Sequence, residues 1–437
     1  MSQPVVHVGI MSVPELQFSL NGKFHAGNVV AEGEQTARVN DGKIEWQGKS
    51  YEEILFTPDS PENEFTLRNV TIGVNFHWER QENQSFRGQL KLIVEHGHIT
   101  PVNIIGVEDY LMSVISSEMS ATASLELLKA HAVISRSWLL AQIEKNKAIE
   151  QSASPYSACT ETPEELVKWY DREDHVNFDV CADDHCQRYQ GTTRQTTATV
   201  AEAVKATSGQ VLYSDEKLCD ARFSKSCGGV YEEFENCWEP VHHSYLSARR
   251  DSEHENDFPD LTIEENARKW ILSRPDSFCN TADPRVLSQV LNGYDQETTD
   301  FYRWTVNYNQ EELSKLVAER SGTDYGKILD LEPLTRGTSG RISRLKITGT
   351  KLTRIIGKEL EIRRTLSKSH LYSSAFVVEK GATDAEGIPT GFTLKGAGWG
   401  HGVGLCQIGA AVMGDRGYSY EKILLHYFPG AELRKLY

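Results

Sequence analysis

Glu108-Asp-Tyr-Leu-Met-Ser-Val-Ile-Ser-Ser-Glu-Met119 is where the chain changes its periodicity from strand to helix. Acids fill its first turn and apolar residues recur at Leu111, Val114 and Ile115, which is helical spacing that opens near Val107. The preceding residues, 1 to about 100, behave differently. Runs such as Val5-Val-His-Val-Gly-Ile10 and Leu90-Lys-Leu-Ile-Val94 cluster β-branched residues between Asn-Gly, Asp-Gly and Pro-Asp-Ser turn signals. Strands followed by helices, with no regular βαβ alternation, predict an α+β protein.

A second helix is predicted from Ser124, a suitable N-cap, and is apolar around most of its circumference through Leu125, Leu128, Ala132, Val133, Ile134, Trp138 and Leu139. Arg136 on this buried helix needs a carboxylate, carbonyl or ligand as partner. Glu118 falls at the C-terminal end of the first helix, where the macrodipole disfavours negative charge and tends to raise a carboxyl pKa. The small-residue stretch Met119-Ser-Ala-Thr-Ala-Ser124 leaves room for a ligand beside it. On these residues alone a solvated surface glutamate is the plainer reading.

Further on, Gly209-Gln-Val-Leu-Tyr-Ser214, Leu345-Lys-Ile-Thr-Gly-Thr350 and Phe376-Val-Val-Glu379 read as strands, 301–320 as a helix-bearing segment, and Ser419 to His426 as a final helix stopped at Pro429-Gly430. Gly396-Ala-Gly-Trp-Gly-His-Gly-Val-Gly-Leu-Cys-Gln-Ile-Gly-Ala410 places five glycines in nine residues around His401. Such density exposes backbone N–H groups and permits close approach, so it reads as the floor of a binding site. The alternative is a tight turn with a core histidine bonded inside its own loop.

With 437 residues the chain exceeds one ordinary core, so two or three domains, or one elaborated domain, are expected. Acids outnumber bases 62 to 46, for a net charge of −16, which argues against a sequence-independent grip on nucleic acid or anionic lipid. Basic residues do gather between Arg341 and Lys368, as a local groove or as a solvated face. No apolar run is long enough to be a transmembrane segment. Met1 to Ile10 lacks the basic and apolar regions of a signal peptide, which fits either a cytoplasmic protein or one whose leader has been removed.

Eight cysteines are too few for a disulfide-built scaffold. In His175-Val-Asn-Phe-Asp-Val-Cys-Ala-Asp-Asp-His-Cys186, however, two thiols and two imidazoles fall within twelve residues, a donor set suited to a structural Zn²⁺ that staples a coreless loop. His175, Cys181 and Cys186 are the principal ligand candidates. His185, adjacent to Cys186, would point elsewhere from an extended backbone. A Cys181–Cys186 disulfide or two free thiols is the competing reading, and Cys219, Cys227, Cys237 and Cys279 are candidates for one or two bridges.

Five blocks, in order, carry a resemblance: Tyr110 to Met119, Leu125 to Arg136, Phe223-Ser-Lys-Ser-Cys-Gly-Gly229, Gly396 to Ala410, and Gly417 to Gly430. Together they resemble the SpoIID family of stage II sporulation protein D and the amidase-enhancer domains. The resemblance implies a SpoIID-like region over 101–437, elaborated by an insertion or subdomain at about 240–385, behind an N-terminal β-rich domain at 1–100. It implies a lytic transglycosylase that cleaves the β-1,4 bond from N-acetylmuramic acid to N-acetylglucosamine in peptidoglycan glycan strands. Glu118 matches the essential glutamate and would be the acid. Arg136 matches a position of functional weight and would orient Glu118 or hold substrate, with Lys225 a further catalytic candidate. Ser226, Gly228, Gly400, His401, Gly402 and Gln407 would contact sugar, and relatives carry a metal at the loop of His175, Cys181, His185 and Cys186. The implied location is the cell envelope, and a cell-wall amidase is an implied partner.

Departures accompany the match: Cys406 stands where relatives commonly have methionine or serine, Ile408 replaces a common aromatic, and Phe223 lacks a tyrosine's hydroxyl. A non-catalytic glycan-binding helper of an amidase is the main rival reading. A zinc hydrolase is disfavoured because no HExxH-like pair brings a general base, and Cys406 with His401 make no known peptidase dyad. Asp109, Glu232 and Glu233 are the candidates for a second carboxylate.

Overall fold

The computed structural model describes residues 3–73, 79–120, 122–149, 157–169, 175–183, 185–194, 196–253, 257–290 and 299–437. The chain forms two compact units, one of Met1–Glu150, Asp174–Leu212 and Leu433–Tyr437, the other of Gln151–Glu173 and Tyr213–Glu432. In the first unit the strands of the sheet precede the helices, and in the second the helices are interspersed among small sheets without regular βαβ alternation, so the fold is α+β.

The first unit is built on one large sheet. Its strands are Val5–Gly9 (β1), Glu15–Ala26 (β2), Val29–Asn40 (β3), Lys43–Trp46 (β4), Lys49–Tyr51 (β5), Ile54–Pro58 (β6), Glu64–Ile72 (β7), Arg80–Arg87 (β8), Gln89–Glu95 (β9) and His98–Gly106 (β10). The order across the sheet is β1, β10, β9, β6, β2, β3, β4, β5, with β7 pairing β2 and β8. The hairpins are tight for a readable reason: Asp41 and Gly42, joining β3 to β4, both have positive φ (49° and 74°), as a two-residue turn matching strand twist requires. Leu16, Phe18, Leu20, Phe56, Leu90 and Leu92 fill the buried face. Val180–Cys181 adds a short parallel strand beside β1, with Gly9 opposite Cys181.

Three helices follow the sheet. Val107–Glu118 (α1) begins directly after β10 and buries Tyr110, Leu111, Val114 and Ile115. Leu125–Ile149 (α2) starts where Ser124 Oγ accepts the N–H of Leu127 at 3.3 Å, the cap read from the sequence. Ala198–Ala206 (α3) is capped by Thr197.

The second unit holds a five-stranded sheet in the order Cys159–Glu161, Glu165–Lys168, Thr353–Gly357, Ile342–Gly349, Ile328–Arg336. A three-stranded antiparallel sheet places Gly391–Ala397 between Arg303–Asn309 and Phe376–Lys380. Helix Gln310–Ser321, opened by a reciprocal Asn309/Glu312 capping box, packs Leu313 and Val317 into a core with Trp304, Ile347, Phe376 and Leu394. Much of the basic segment is paired with acids of the same unit. Arg344 pairs with Glu165, Lys346 with Glu332, Lys351 with Asp324, Arg354 with Glu161 and Arg363 with Glu359, while Arg341 is buried.

Candidate functional site in the first unit

Glu118 is the last residue of α1 and is half-buried. Its Oε1 accepts the backbone N–H of Arg188 at 3.1 Å, and Oε2 has no partner among the described residues. Arg188 belongs to a run in which each residue is tied down. Gln187 Oε1 faces the Tyr110 hydroxyl at 3.5 Å, Tyr189 OH donates to Asn103 Oδ1 at 2.6 Å, and Gln190 N–H donates to Ser113 Oγ at 3.1 Å. Tyr189 also stacks on Tyr110 with ring centroids 5.0 Å apart. Segment 187–190 is thus docked along α1, and its register sets where the Glu118 carboxylate points. Sequence reading missed this segment, because a backbone N–H leaves no signature in residue type. Ala121, within the small-residue stretch beside Glu118, lies outside the described residues.

The loop immediately before this segment carries the metal candidates. Cys186 Sγ lies 3.4 Å from His175 Nε2 and 3.5 Å from His185 Nδ1, and Cys181 Sγ lies 3.8 Å from His185 Nδ1. A tetrahedral Zn²⁺ with bonds of about 2.0–2.3 Å has ligand–ligand edges of about 3.6 Å, so the four donors fit one ion. His185 belongs to the set after all: the backbone is not extended but turns, with Cys186 N–H donating to Asp183 O. Hydrogen bonding with Cys186, against the cost of burial, and with His175 and His185 favours the thiolate form of Cys181. All four positions are protein ligands, so an ion here would be structural, holding the loop that leads into 187–190.

Arg136 is fully buried and committed within the fold. Its Nε and Nη2 make a bidentate pair with Glu108 at 2.9 and 2.7 Å, and Nη1 donates to Gln210 O at 3.0 Å. Glu108 Oε1 also accepts from Gly209 N–H and from the Tyr437 hydroxyl. Burial works to raise the Glu108 carboxyl, but the Arg136 pair and these donors outweigh it and hold it below its ordinary value. Contact with Glu118 or substrate is therefore not what Arg136 makes; it is a positioning residue joining α1, α2 and the segment at 209–210.

Lys225, Ser226, Gly228, Gly400, His401, Gly402 and Gln407 belong to the second unit. Ser224 and Phe223 pair in parallel with Cys406 and Leu405, and Ser226 exchanges backbone hydrogen bonds with Trp399, so the two blocks meet. The glycines, however, answer to internal packing. A Cβ on Gly402 would stand 2.4 Å from the Arg341 guanidinium, one on Gly396 2.1 Å from Trp304, and one on Gly404 2.1 Å from Arg222 O. Arg341 fills the concavity, donating to Gly400 O, Cys227 O and Ser339 Oγ. The expected ligand floor is a cradle for the protein's own arginine.

His401 follows the same logic. Its Nδ1 accepts from Val403 N–H at 3.0 Å, its other nitrogen bonds the Phe223 carbonyl, and Trp238 meets its ring edge-on at 4.9 Å. Burial, then Arg222, Arg341 and Arg363, hold it well below the usual histidine range, so this half-buried ring is neutral and bonded inside its own loop. Ser226, Gly228 and Gln407 are buried, and Lys225 Nζ donates to Val290 O. Half-exposed Trp399, between Tyr372 (4.3 Å) and Phe301 (4.7 Å), is the aromatic face that the loop does present.

Two of the three candidate second carboxylates are unavailable. Asp109 and Glu118 lie nine residues apart on α1, roughly 13 Å along the axis at 1.5 Å per residue. Glu232 is sealed, accepting from Glu233 N–H, Asn236, Thr338, Ser339 N–H and Ser339 Oγ.

Comparison with known proteins bears out the resemblance read from the sequence. Residues 95–213 match the SpoIID model, described as stage II sporulation protein, and 232–404 match a domain of unknown function, DUF8618. The chain is 26% identical over 340 residues to the amidase enhancer of Bacillus subtilis, covering 74% of this chain and 40% of that protein. It is 22% identical over 335 residues to stage II sporulation protein D of Bacillus subtilis, covering 76% and 75%. The chain thus spans less than half of the amidase enhancer and about three quarters of stage II sporulation protein D.

Proposed function

We propose that this chain is a lytic transglycosylase of peptidoglycan glycan strands, working in the cell envelope, with Glu118 as its acid and base. This reading rests on the Glu118 carboxyl group, at a half-buried helix end, with one oxygen held by the Arg188 N–H and the other without a partner among the described residues. The SpoIID match over 95–213, which includes Glu118, supports the reading.

One carboxyl suffices for this reaction. Glu118 gives its proton to the glycosidic oxygen as the muramoyl C1–O bond breaks, and the N-acetylglucosamine side leaves with a 4-hydroxyl. The resulting carboxylate then takes the proton of the muramoyl C6 hydroxyl while that oxygen bonds to C1. The 1,6-anhydro ring closes, Glu118 is again protonated, and no water is consumed. A hydrolase would need a second carboxyl group about 5–9.5 Å away, and Asp109 is too far along the helix for that role. Arg136 and segment 187–190 hold α1 and the carboxylate in place, and a structural Zn²⁺ on His175, Cys181, His185 and Cys186 would fix the loop behind them.

The test is incubation of peptide-free glycan strands with the protein and with Glu118→Gln, followed by mass spectrometry. Anhydro-muramoyl ends from the unvaried protein alone are expected. Reducing ends would replace this reading with hydrolysis. If both proteins bind strands and neither cuts them, the chain is a glycan-binding partner of a cell-wall amidase, a reading favoured by its similarity to an amidase enhancer.

A further inference from the structure

Cys227, Asp251, Cys279 and Cys406 come from four separated segments of the second unit, and all four are buried. Their donor atoms lie within 4.8 Å of one another. We propose that they form a second structural Zn²⁺ site, of three thiolates and one carboxylate, in addition to the loop site of the first unit.

The geometry is that of a ligand set rather than of packed thiols. Cys227 and Cys279 sulfurs stand 3.6 Å apart, against about 3.7 Å for the edge of a tetrahedron with Zn–S bonds of about 2.3 Å. Backbone amides already point at two sulfurs: Gly229 N–H donates to Cys227 Sγ at 3.4 Å and Cys227 N–H to Cys406 Sγ at 3.3 Å. Donors of this kind orient thiolates and lower the cost of their charge at metal centres. The first depends on the turn at Gly228 and Gly229, where φ is +81° and +107°.

Asp251 is the stronger argument. A fully buried carboxylate must be matched by cations or donors. Tyr427 OH donates to its Oδ1 at 2.8 Å and Cys279 N–H to its Oδ2 at 2.9 Å. Its sole ion-pair partner among the described residues is His426, 3.6 Å away and partly exposed. Three thiols add to the same enclosed space no positive charge. A divalent cation converts this concentration of acidic groups into a satisfied cluster, releasing thiol protons as it binds. Gly409 on helix Gln407–Asp415 leaves room for the arrangement, since a Cβ there would meet Asp251 at 2.8 Å and the Tyr427 hydroxyl at 2.2 Å. The ion would bind the turn after Ser226 to the start of that helix, fixing the two blocks whose carbonyls hold Arg341. It would also give a purpose to Cys406, one of the residues that depart from the SpoIID pattern.

Zinc content by elemental analysis and native mass spectrometry tests the proposal. A loop-disabled variant, Cys181→Ser with Cys186→Ser, is expected to retain one Zn²⁺ per chain, and the further change Cys406→Ala to remove it. Cobalt(II) replacing zinc in the loop-disabled chain should give intense sulfur-to-metal absorption and a tetrahedral visible spectrum. A folded loop-disabled chain that holds no ion after dialysis against ZnCl₂ overturns the proposal. So does a Cys227–Cys279 disulfide found by peptide mapping of the unvaried protein. If the loop-disabled chain does not fold, the comparison moves to the unvaried protein and Cys406→Ala alone: loss of one ion supports the site, and equal content refutes it.

Discussion

Replacing Glu108 with glutamine should destabilise the first unit far more than replacing Glu118 the same way, although both residues lie on α1. Arg136 is fully buried, and Glu108 supplies its bidentate counter-charge at 2.9 and 2.7 Å. Removing one partner of such a pair costs about 3–5 kcal/mol, because the remaining charge is left uncompensated. Glutamine keeps one acceptor, and Gln210 O still takes one guanidinium N–H, so the lower end, about 3 kcal/mol, applies. At roughly 2–4 °C per kcal/mol for a unit of this size, the melting temperature should fall by about 6–12 °C. Glu118 makes one hydrogen bond from a half-buried position, and Glu118→Gln should shift stability by at most about 1 kcal/mol. Calorimetry or circular dichroism melts of both variants decide the matter. The double variant Glu108→Gln with Arg136→Met should recover part of the loss, since it removes the stranded charge. A fall of less than about 2 °C for Glu108→Gln, or a double variant worse than the sum of its parts, would refute the reasoning.

The same pair sets a pH dependence. Glu108 is held below its unfolded value, so its contribution is present above the ordinary carboxylate range and lost as pH falls through the folded value. The stability gap between unvaried protein and Glu108→Gln should therefore narrow below about pH 4, and a gap that widens there would contradict the assignment. Gly402→Ala should cost about 2–4 kcal/mol, combining left-handed strain at φ +79° with a Cβ 2.4 Å from the pinned Arg341, whereas Gly417→Ala, with φ +81° and open space, should cost only about 1 kcal/mol in urea unfolding. Cys186→Ser should raise amide exchange across 187–190 and lower transglycosylase activity while α1 stays protected; unchanged exchange there would separate the metal loop from Glu118.

What could be read from residues alone was local. The apolar spacing at Leu111, Val114 and Ile115 and the cap at Ser124 located α1 and α2, and the Asp41-Gly42 turn is written in its two residues. Long-range pairing was out of reach. Arg136 visibly needed a partner, but Glu108 reads as an ordinary first-turn acid, and only packing of α1 on α2 brings the two together. Cys227 and Cys279 are 52 residues apart and Cys227 and Cys406 are 179, so no spacing rule unites them, whereas the cluster of two thiols and two imidazoles within residues 175–186 was legible at once. The glycine-rich block was misread because glycine reports close approach without saying what approaches, and here it is Arg341.

The first unit leaves the chain at Leu212 and resumes at Leu433, with Tyr437 donating to Glu108. For a polypeptide emerging N-terminus first, the sheet and its helices are therefore made long before the segment that completes them. At about 5–20 residues per second the intervening stretch takes roughly 10–45 s to synthesise. During that interval Glu108 has Arg136 and the Gly209 N–H but lacks the Tyr437 hydroxyl. Residues 433–437 therefore complete a unit whose sheet and helices precede them by the long stretch 213–432.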